Sequence, residues 1–141
     1  MAELDTVVVG LVDRVTRRLR DAERVGRTVV LRLRFDDLTR PRSHTLAHPT
    51  AHTAAVLDAA RALLRLAADD VRTKGCTLVG ITVANLADAH AVQLALPFDG
   101  SAPPALDGAL DDVRRRFGSR AVTRAVLAGT DPGWSPPMLP D

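Results

Sequence analysis

At Gly26 the spacing of the apolar residues changes, and that change sets most of what the chain can become. Before it, Leu4, Val8, Leu11, Val12, Val15 and Leu19 recur every three or four residues, with Arg14, Arg17 and Arg20 on another face. This spacing predicts an amphipathic helix from about Leu4 to Arg24. After it, Val29, Leu31, Leu33 and Phe35 alternate with Thr28, Val30, Arg32 and Arg34, the pattern of a strand with one buried and one cationic face. Asp36-Asp37-Leu38-Thr39 supplies a turn, and Arg40 to Leu46 returns as a second strand that Pro41 pushes towards a sheet edge.

Thr50, following Pro49, is placed to cap a second helix whose buried stripe is Val56, Ala59, Leu63, Ala67 and Val71, closed by Gly75. Thr77, Val79, Ile81 and Val83 alternate with Leu78, Gly80 and Thr82 in a third strand, and Asn85 to Val92 reads as loop. The order helix, strand, strand, helix, strand predicts an α+β layer over residues 3–92, with both helices on the Val/Leu face of the sheet and the other face open. A separate segment, 93–98, follows, and Asp-Gly-Ser-Ala-Pro-Pro at 99–104 has the composition of a linker. Residues 105–129 form a helical extension, with Leu106, Leu110, Val113 and Phe117 at helical spacing and Arg120 to Leu127 compatible with helix or strand. The Pro-rich end, 130–141, is expected to be disordered, with Trp134 exposed in it.

Composition narrows the function. The 141 residues suit one domain, and a chain that is 46% hydrophobic but 3% aromatic builds its core from Val, Leu and Ala rather than around an aromatic-lined pocket. Lys74 is the only lysine among 19 basic residues, and Arg14 to Arg42 holds ten Arg against four acids. Forked guanidinium donors suit phosphate or carboxylate. The lone Cys76 excludes an internal disulfide and a Cys-rich zinc site, and at a strand start it is expected to be a small buried residue. Val7 to Val12 is too short to span a bilayer and runs into Asp13 and Arg14, so no membrane partner and a cytoplasmic setting are expected. His48 and His52 lie four apart, but the expected helix start falls between them and no third ligand is near in sequence, so no metal site is expected. Arg14, Arg17, Arg18 and Arg20 are expected on the surface of the first helix, and Arg114-Arg115-Arg116 on another helix surface balanced by Asp111 and Asp112.

Three passages, in order, resemble the C-terminal little finger domain of Y-family translesion DNA polymerases of the bacterial DNA polymerase IV type. They are Gly26 to Thr39 with Arg42-Ser43-His44-Thr45-Leu46 and Pro49-Thr50; Leu78 to Leu86; and Gln93-Leu94-Ala95-Leu96-Pro97-Phe98, which matches the pattern Gln-Leu-x-Leu-x-Phe that binds the bacterial sliding clamp. The resemblance covers roughly Glu3 to Phe98 and implies a ferredoxin-like layer. That layer departs from the family in one respect: the family's domain begins with a strand, whereas only Met1-Ala2-Glu3 precede the first helix here. The absent strand is expected mid-sheet, between the hairpin and the strand Thr77 to Val83, leaving the latter to find another partner. Nothing resembles the palm, fingers or thumb, no catalytic residue is assigned, and the chain is not expected to polymerise DNA by itself. The resemblance implies magnesium only for a full polymerase.

On this reading Arg32, Arg34, Arg40, Arg42 and Thr82 lie on one open face and contact the DNA backbone, holding it without reading bases. Gln93, Leu94, Leu96 and Phe98 dock on the sliding clamp, Pro97 stiffening the segment; the competing reading is a strand end that tucks Leu94, Leu96 and Phe98 into the chain's own core. The expected function is thus the DNA-binding and clamp-tethering part of a translesion polymerase, and the alternative is a free-standing, non-catalytic clamp-binding protein. A small ferredoxin-like enzyme is a third class, but no nucleophile, acid/base pair or Gly-rich phosphate loop stands out.

Overall fold

Residues 2–36, 38–89 and 104–128 are described by a computed structural model. Helix α1 (Ala2–Asp21) leads into a hairpin of β1 (Arg24–Phe35) and β2 (Leu38–Thr50), then α2 (Thr53–Leu66), α3 (Ala68–Lys74), β3 (Leu78–Ala84) and β4 (Ala87–Asp88), followed by α4 (Pro104–Phe117) and a 3-10 turn at Ala125–Leu127. This is the expected α+β layer. The sheet is antiparallel, in the order β2-β1-β3, with the short β4 pairing the start of β1. Helix α1 lies over β3 and β1, and α2 over β1 and β2, both on the same face.

The core follows the alternation. Val29, Leu31, Leu33 and Phe35 of β1 are buried against Val8, Val12, Val15 and Leu19 of α1 and Val56, Ala60 and Leu63 of α2. The hairpin turns through two residues, with Asp36 at a left-handed φ of 50°, which short polar side chains tolerate. β2, with Pro41 and Pro49, takes the edge position that missing donors require. Gly26 is fixed by packing: a Cβ there would overlap Val83 Cγ1 and crowd Leu86.

The structure corrects several expectations. β3 pairs directly with β1, Val79 beside Leu33, Ile81 beside Leu31 and Val83 beside Val29, so no position between hairpin and last strand exists for a further strand. The reason is that β1 must satisfy both backbone edges, and β3 continues its apolar face without a break. Thr50 does not cap α2. β2 runs through Thr50, whose Oγ1 accepts the His52 N–H at 3.0 Å, and the helix begins at Thr53. The single helix expected to Gly75 is two, divided at Ala67 (φ −94°, ψ 2°), whose N–H is shared between the Leu63 and Leu64 carbonyls as in a tightened last turn. The loop after Asn85 contains β4, and Cys76 is half-buried, its thiol donating to the Leu78 carbonyl.

The largest correction concerns the C-terminal extension, which packs on the layer by its polar side. Arg20, expected at the surface, clamps Asp111 with Nε at 2.6 Å and Nη2 at 3.1 Å, while its Nη1 reaches the Ala51 carbonyl and Thr53 Oγ1, both at 2.9 Å. Thr53 Oγ1 lies 3.0 Å from Thr16 Oγ1, and the Thr53 N–H donates to Asp107 at 3.1 Å. A side chain from α4 therefore satisfies one of the free N–H groups that begin α2. Arg114, 7% exposed, pairs with Asp13 at 3.2 Å rather than lying on a surface, although Arg115 does pair with Asp112 there. Leu106 and Phe117, on the apolar stripe, are instead exposed. Residues 120–127 form no strand, and Leu127 packs on α1 at Gly10.

Asp111 is 2% exposed and is the nearer of two carboxylates on a largely buried guanidinium, so Asp111→Ala leaves Arg20 only Asp107 at 3.5 Å and should cost about 3 kcal/mol. Asp112, at 70% exposure, should be replaceable by Ala with no change in the urea midpoint. Equal midpoints for the two variants would show that α4 is not part of the folded unit.

Candidate nucleic-acid interface

The hairpin turn fixes which side chains share a face. Because Phe35 pairs with Leu38, Arg34 stands opposite Thr39, Arg32 opposite Pro41, Val30 opposite Ser43 and Thr28 opposite Thr45. Across the other edge of β1 the same residues meet Leu78, Gly80, Thr82 and Ala84. Cross-strand partners point to the same side of a sheet, so these twelve positions form the face away from the helices. Its floor mixes the hydroxyls of Thr28, Thr39, Ser43, Thr45 and Thr82 with Gly80, Ala84 and the apolar Val30, Pro41 and exposed Leu78, and two guanidinium groups rise from it.

Arg32 and Arg34 are both exposed. Arg34 donates through Nε to the Asp36 carbonyl at 3.3 Å, which leaves its terminal nitrogens free to turn outward. Arg32 has no polar partner among the described residues. Gly80, directly across from Arg32, keeps the floor flat; a Cβ there would sit 3.9 Å from the Arg32 Cβ, so the glycine leaves open space beside the charge without being demanded by packing. At the far end, Asn85 (φ 56°) donates from Nδ2 to Thr28 Oγ1 at 2.6 Å, and Thr28 Oγ1 lies 3.4 Å from Thr45 Oγ1. This closes that end of the face.

Of the residues expected together, Arg32, Arg34 and Thr82 do share the open face, and Arg40 and Arg42 do not. Arg42 pairs with Leu31 and Arg40 with Leu33, so both point to the helix side at the exposed edge of β2. There Arg42 meets Asp70 of α3 at 3.3 Å, and Lys74 meets the same carboxylate at 3.2 Å. The Lys74 ammonium first, then the nearby guanidiniums of Arg40 and Arg42, hold the Asp70 carboxyl below its usual range. These cations are thus partly spent on an acid. The hydroxyls of Thr39, Ser43 and Thr45 were not singled out from the sequence, yet they line the open face; hairpin register is the signal that finds them.

Among the described residues no group of three or more His, Cys, Asp and Glu is placed to hold a metal ion; His48 lies within β2 and His52 is the residue just before α2. The segment with Gln93, Leu94, Leu96 and Phe98, residues 99–103 of the expected 99–104 linker and the expected tail at 130–141 lie outside the described residues, while Pro104, expected to end the linker, begins α4. No described helix is long and apolar enough to cross a membrane.

Comparison with known proteins identifies the family. Residues 1–96 match the model of the impB/mucB/samB family C-terminal domain. The chain belongs to that family. That family is the C-terminal domain of Y-family polymerases, and among similar proteins a "DNA polymerase IV 2" of Mesorhizobium japonicum is 38% identical over 132 residues, covering 84% of this chain and 32% of the relative. A "DNA polymerase IV" of Moorella thermoacetica is 34% identical over 125 residues, 88% of this chain and 31% of the relative. A "Putative UV-damage repair protein UvrX" of Bacillus subtilis is 32% identical over 129 residues, 88% of this chain and 30% of the relative. The chain spans about a third of the length of these relatives. No solved structure gives a significant match.

Proposed function

We propose that this domain grips the sugar-phosphate backbone of DNA with the open face of its sheet, as the non-catalytic, DNA-holding part of translesion synthesis. The observation that carries the reading is Arg32: an exposed guanidinium, unpartnered among the described residues, between Pro41 and Gly80 on a helix-free face that also carries the Thr39, Ser43, Thr45 and Thr82 hydroxyls, in a Y-family C-terminal domain. A buried guanidinium needs its carboxylate, whereas an exposed one on a flat surface is available to phosphate oxygens, which it meets bidentately. The Thr and Ser hydroxyls add donors without sequence preference. Gripping of this kind draws on charge and hydrogen bonds and calls for no metal or nucleotide from this domain. Nucleotide addition, with its magnesium, belongs in this reading to catalytic parts of a longer polymerase acting on chromosomal DNA in the cytoplasm.

The second element is tethering. Gln93-Leu94-Ala95-Leu96-Pro97-Phe98 carries the spacing for docking on a sliding clamp, Leu96 and Phe98 entering an apolar cleft and Gln93 setting the register. Weak, sequence-blind backbone binding needs such a tether to remain at a primer end. A clamp-binding protein without polymerase activity would use the same six residues, but it would not require the cationic sheet face.

Fluorescence anisotropy with primer-template DNA over a salt series tests the first element. Three neutralised phosphates give a log–log slope of about −3, and Arg32→Ala with Arg34→Ala should bring it towards about −1. Arg40→Ala with Arg42→Ala should change it by less than about 1. A slope unmoved by the first pair would remove the open face from the reading. Titration calorimetry against the cognate clamp tests the second: Leu96→Ala with Phe98→Ala should lose about 3–6 kcal/mol, at roughly 1.5–3 per apolar side chain, and leave DNA binding intact. Equal affinity would return the segment to a strand-end tuck.

A further inference from the structure

Where α4 meets the C-terminal half of α1, the two helices leave a cleft of about 170 Å³ lined by Arg17, Asp21, Asp111, Arg114, Arg115 and Ser119. Three guanidiniums face two carboxylates there, and both acids are already engaged. Asp111 accepts two hydrogen bonds from Arg20 and has Arg114 Nη1 at 3.7 Å, while Asp21 accepts from Arg115 Nη2 at 3.1 Å. Arg114 also holds Asp13, and Arg115 also holds Asp112.

Arg17 is what this pairing leaves over. Asp13 and Asp21 flank it one turn away on α1, yet it makes no hydrogen bond or ion pair among the described residues. It is half-buried, unlike Arg32, whose side chain is open to water. A cation partly withdrawn from water calls for an anion or a shell of acceptors. Ser119 lines the same cleft just past Gly118 (φ 98°), whose N–H ends α4 on the Arg114 carbonyl at 2.9 Å. Neither the hydroxyl nor the amide N–H of Ser119 has a partner among the described residues.

We propose that this cleft is a phosphate site, in which Arg17 and Ser119 hold one phosphoryl group at the junction of α1 and α4. The unused groups are donors, so they ask for a ligand made of acceptors, and the surplus guanidinium asks for negative charge. A phosphoryl group offers three acceptor oxygens and more charge than a carboxylate. At about 170 Å³ the cleft is smaller than the roughly 300 Å³ at which whole small molecules are enclosed, so the remainder of the ligand stays outside. Bound there, the group joins α1 to α4 and strengthens their docking. The site lies between helices, away from the open face of the sheet, so it can fail while the DNA-gripping reading stands.

Amide and arginine-Nε correlation spectra of the full labelled chain, titrated with inorganic phosphate at constant ionic strength, should show saturable shifts at Arg17, Gly118 and Ser119, half-complete at about 1 mM. Arg17→Gln removes no bond from the fold and should weaken binding at least about tenfold, and Ser119→Ala about threefold. Arg65→Gln, which deletes the same charge from an exposed position on α2, should leave the affinity unchanged. Phosphate should also raise the urea midpoint of the parent chain and not that of Arg17→Gln. A deoxynucleoside monophosphate and a short oligonucleotide without terminal phosphates name the source: shifts with the first alone point to a free or terminal phosphate, and shifts with both to a strand backbone. Equal shifts with chloride, or an affinity unchanged by Arg17→Gln, would mean an adventitious ion only and overturn the proposal, as would silence at Gly118 and Ser119 with every probe.

Discussion

β1 answers to three neighbours at once. Its edges are hydrogen-bonded by β2 and β3, one face is pressed on α1 and α2, and the other carries no described helix and meets only Asn85 at its Thr28 end. A residue in such a strand has no latitude. A shift of one position would carry Leu31 and Leu33 into water and Arg32 and Arg34 into the core, exchanging several kcal/mol of apolar burial for the far larger cost of burying unpaired charge. The register that fills the core is thus the register that exposes the cations. Stability and surface chemistry are two consequences of a single alternation.

A second constraint operates at the other end of the molecule. Arg20 and Asp13 lie on the side of α1 turned towards α4, and burial there is tolerable only with paired charges. Asp107, Asp111 and Arg114 recur at helical spacing on α4 and supply those charges. The helix therefore docks through its polar side and shows Leu106 and Phe117 to the outside, inverting the usual amphipathic rule. The same contacts complete the start of α2, where no local side chain caps the helix. Strand pairing at the layer's centre and ion pairing at its rim are independent supports, and the open face depends on the first alone.

Much of the layer was legible from apolar spacing because its core is built from residues that alternate or recur without interruption. Val29 to Phe35 and Val56 to Ala67 are examples. The faces of Arg40 and Arg42 were also legible in principle: a two-residue turn pairs each even-numbered residue of β1 with an odd-numbered one of β2, which puts those two arginines beside Leu33 and Leu31. Charge suggested the solvent face and register overruled it, since an edge strand lets a long side chain reach water from either side. Strand order was not legible, because periodicity says which face of Val79 to Val83 is apolar and nothing about which strand lies beside it. The docking of α4 was hidden for the opposite reason: a stripe of Leu106, Leu110, Val113 and Phe117 announces a buried face, while the contacts that hold it join residues some ninety positions apart, as Arg20 and Asp111 do.

The central claim is that DNA lies on the helix-free face of the sheet. Amide chemical-shift mapping of isotope-labelled protein during titration with a short primer-template duplex tests it most directly. Shifts should concentrate at the even-numbered positions of β1 and their register partners, Arg32, Arg34, Pro41-flanking amides, Gly80 and Thr82, with α2, α3 and the Arg42–Asp70 pair nearly unmoved. Shifts centred on α3, Lys74 and Arg42, with Arg32 and Gly80 silent, would place DNA on the β2 edge and contradict the account.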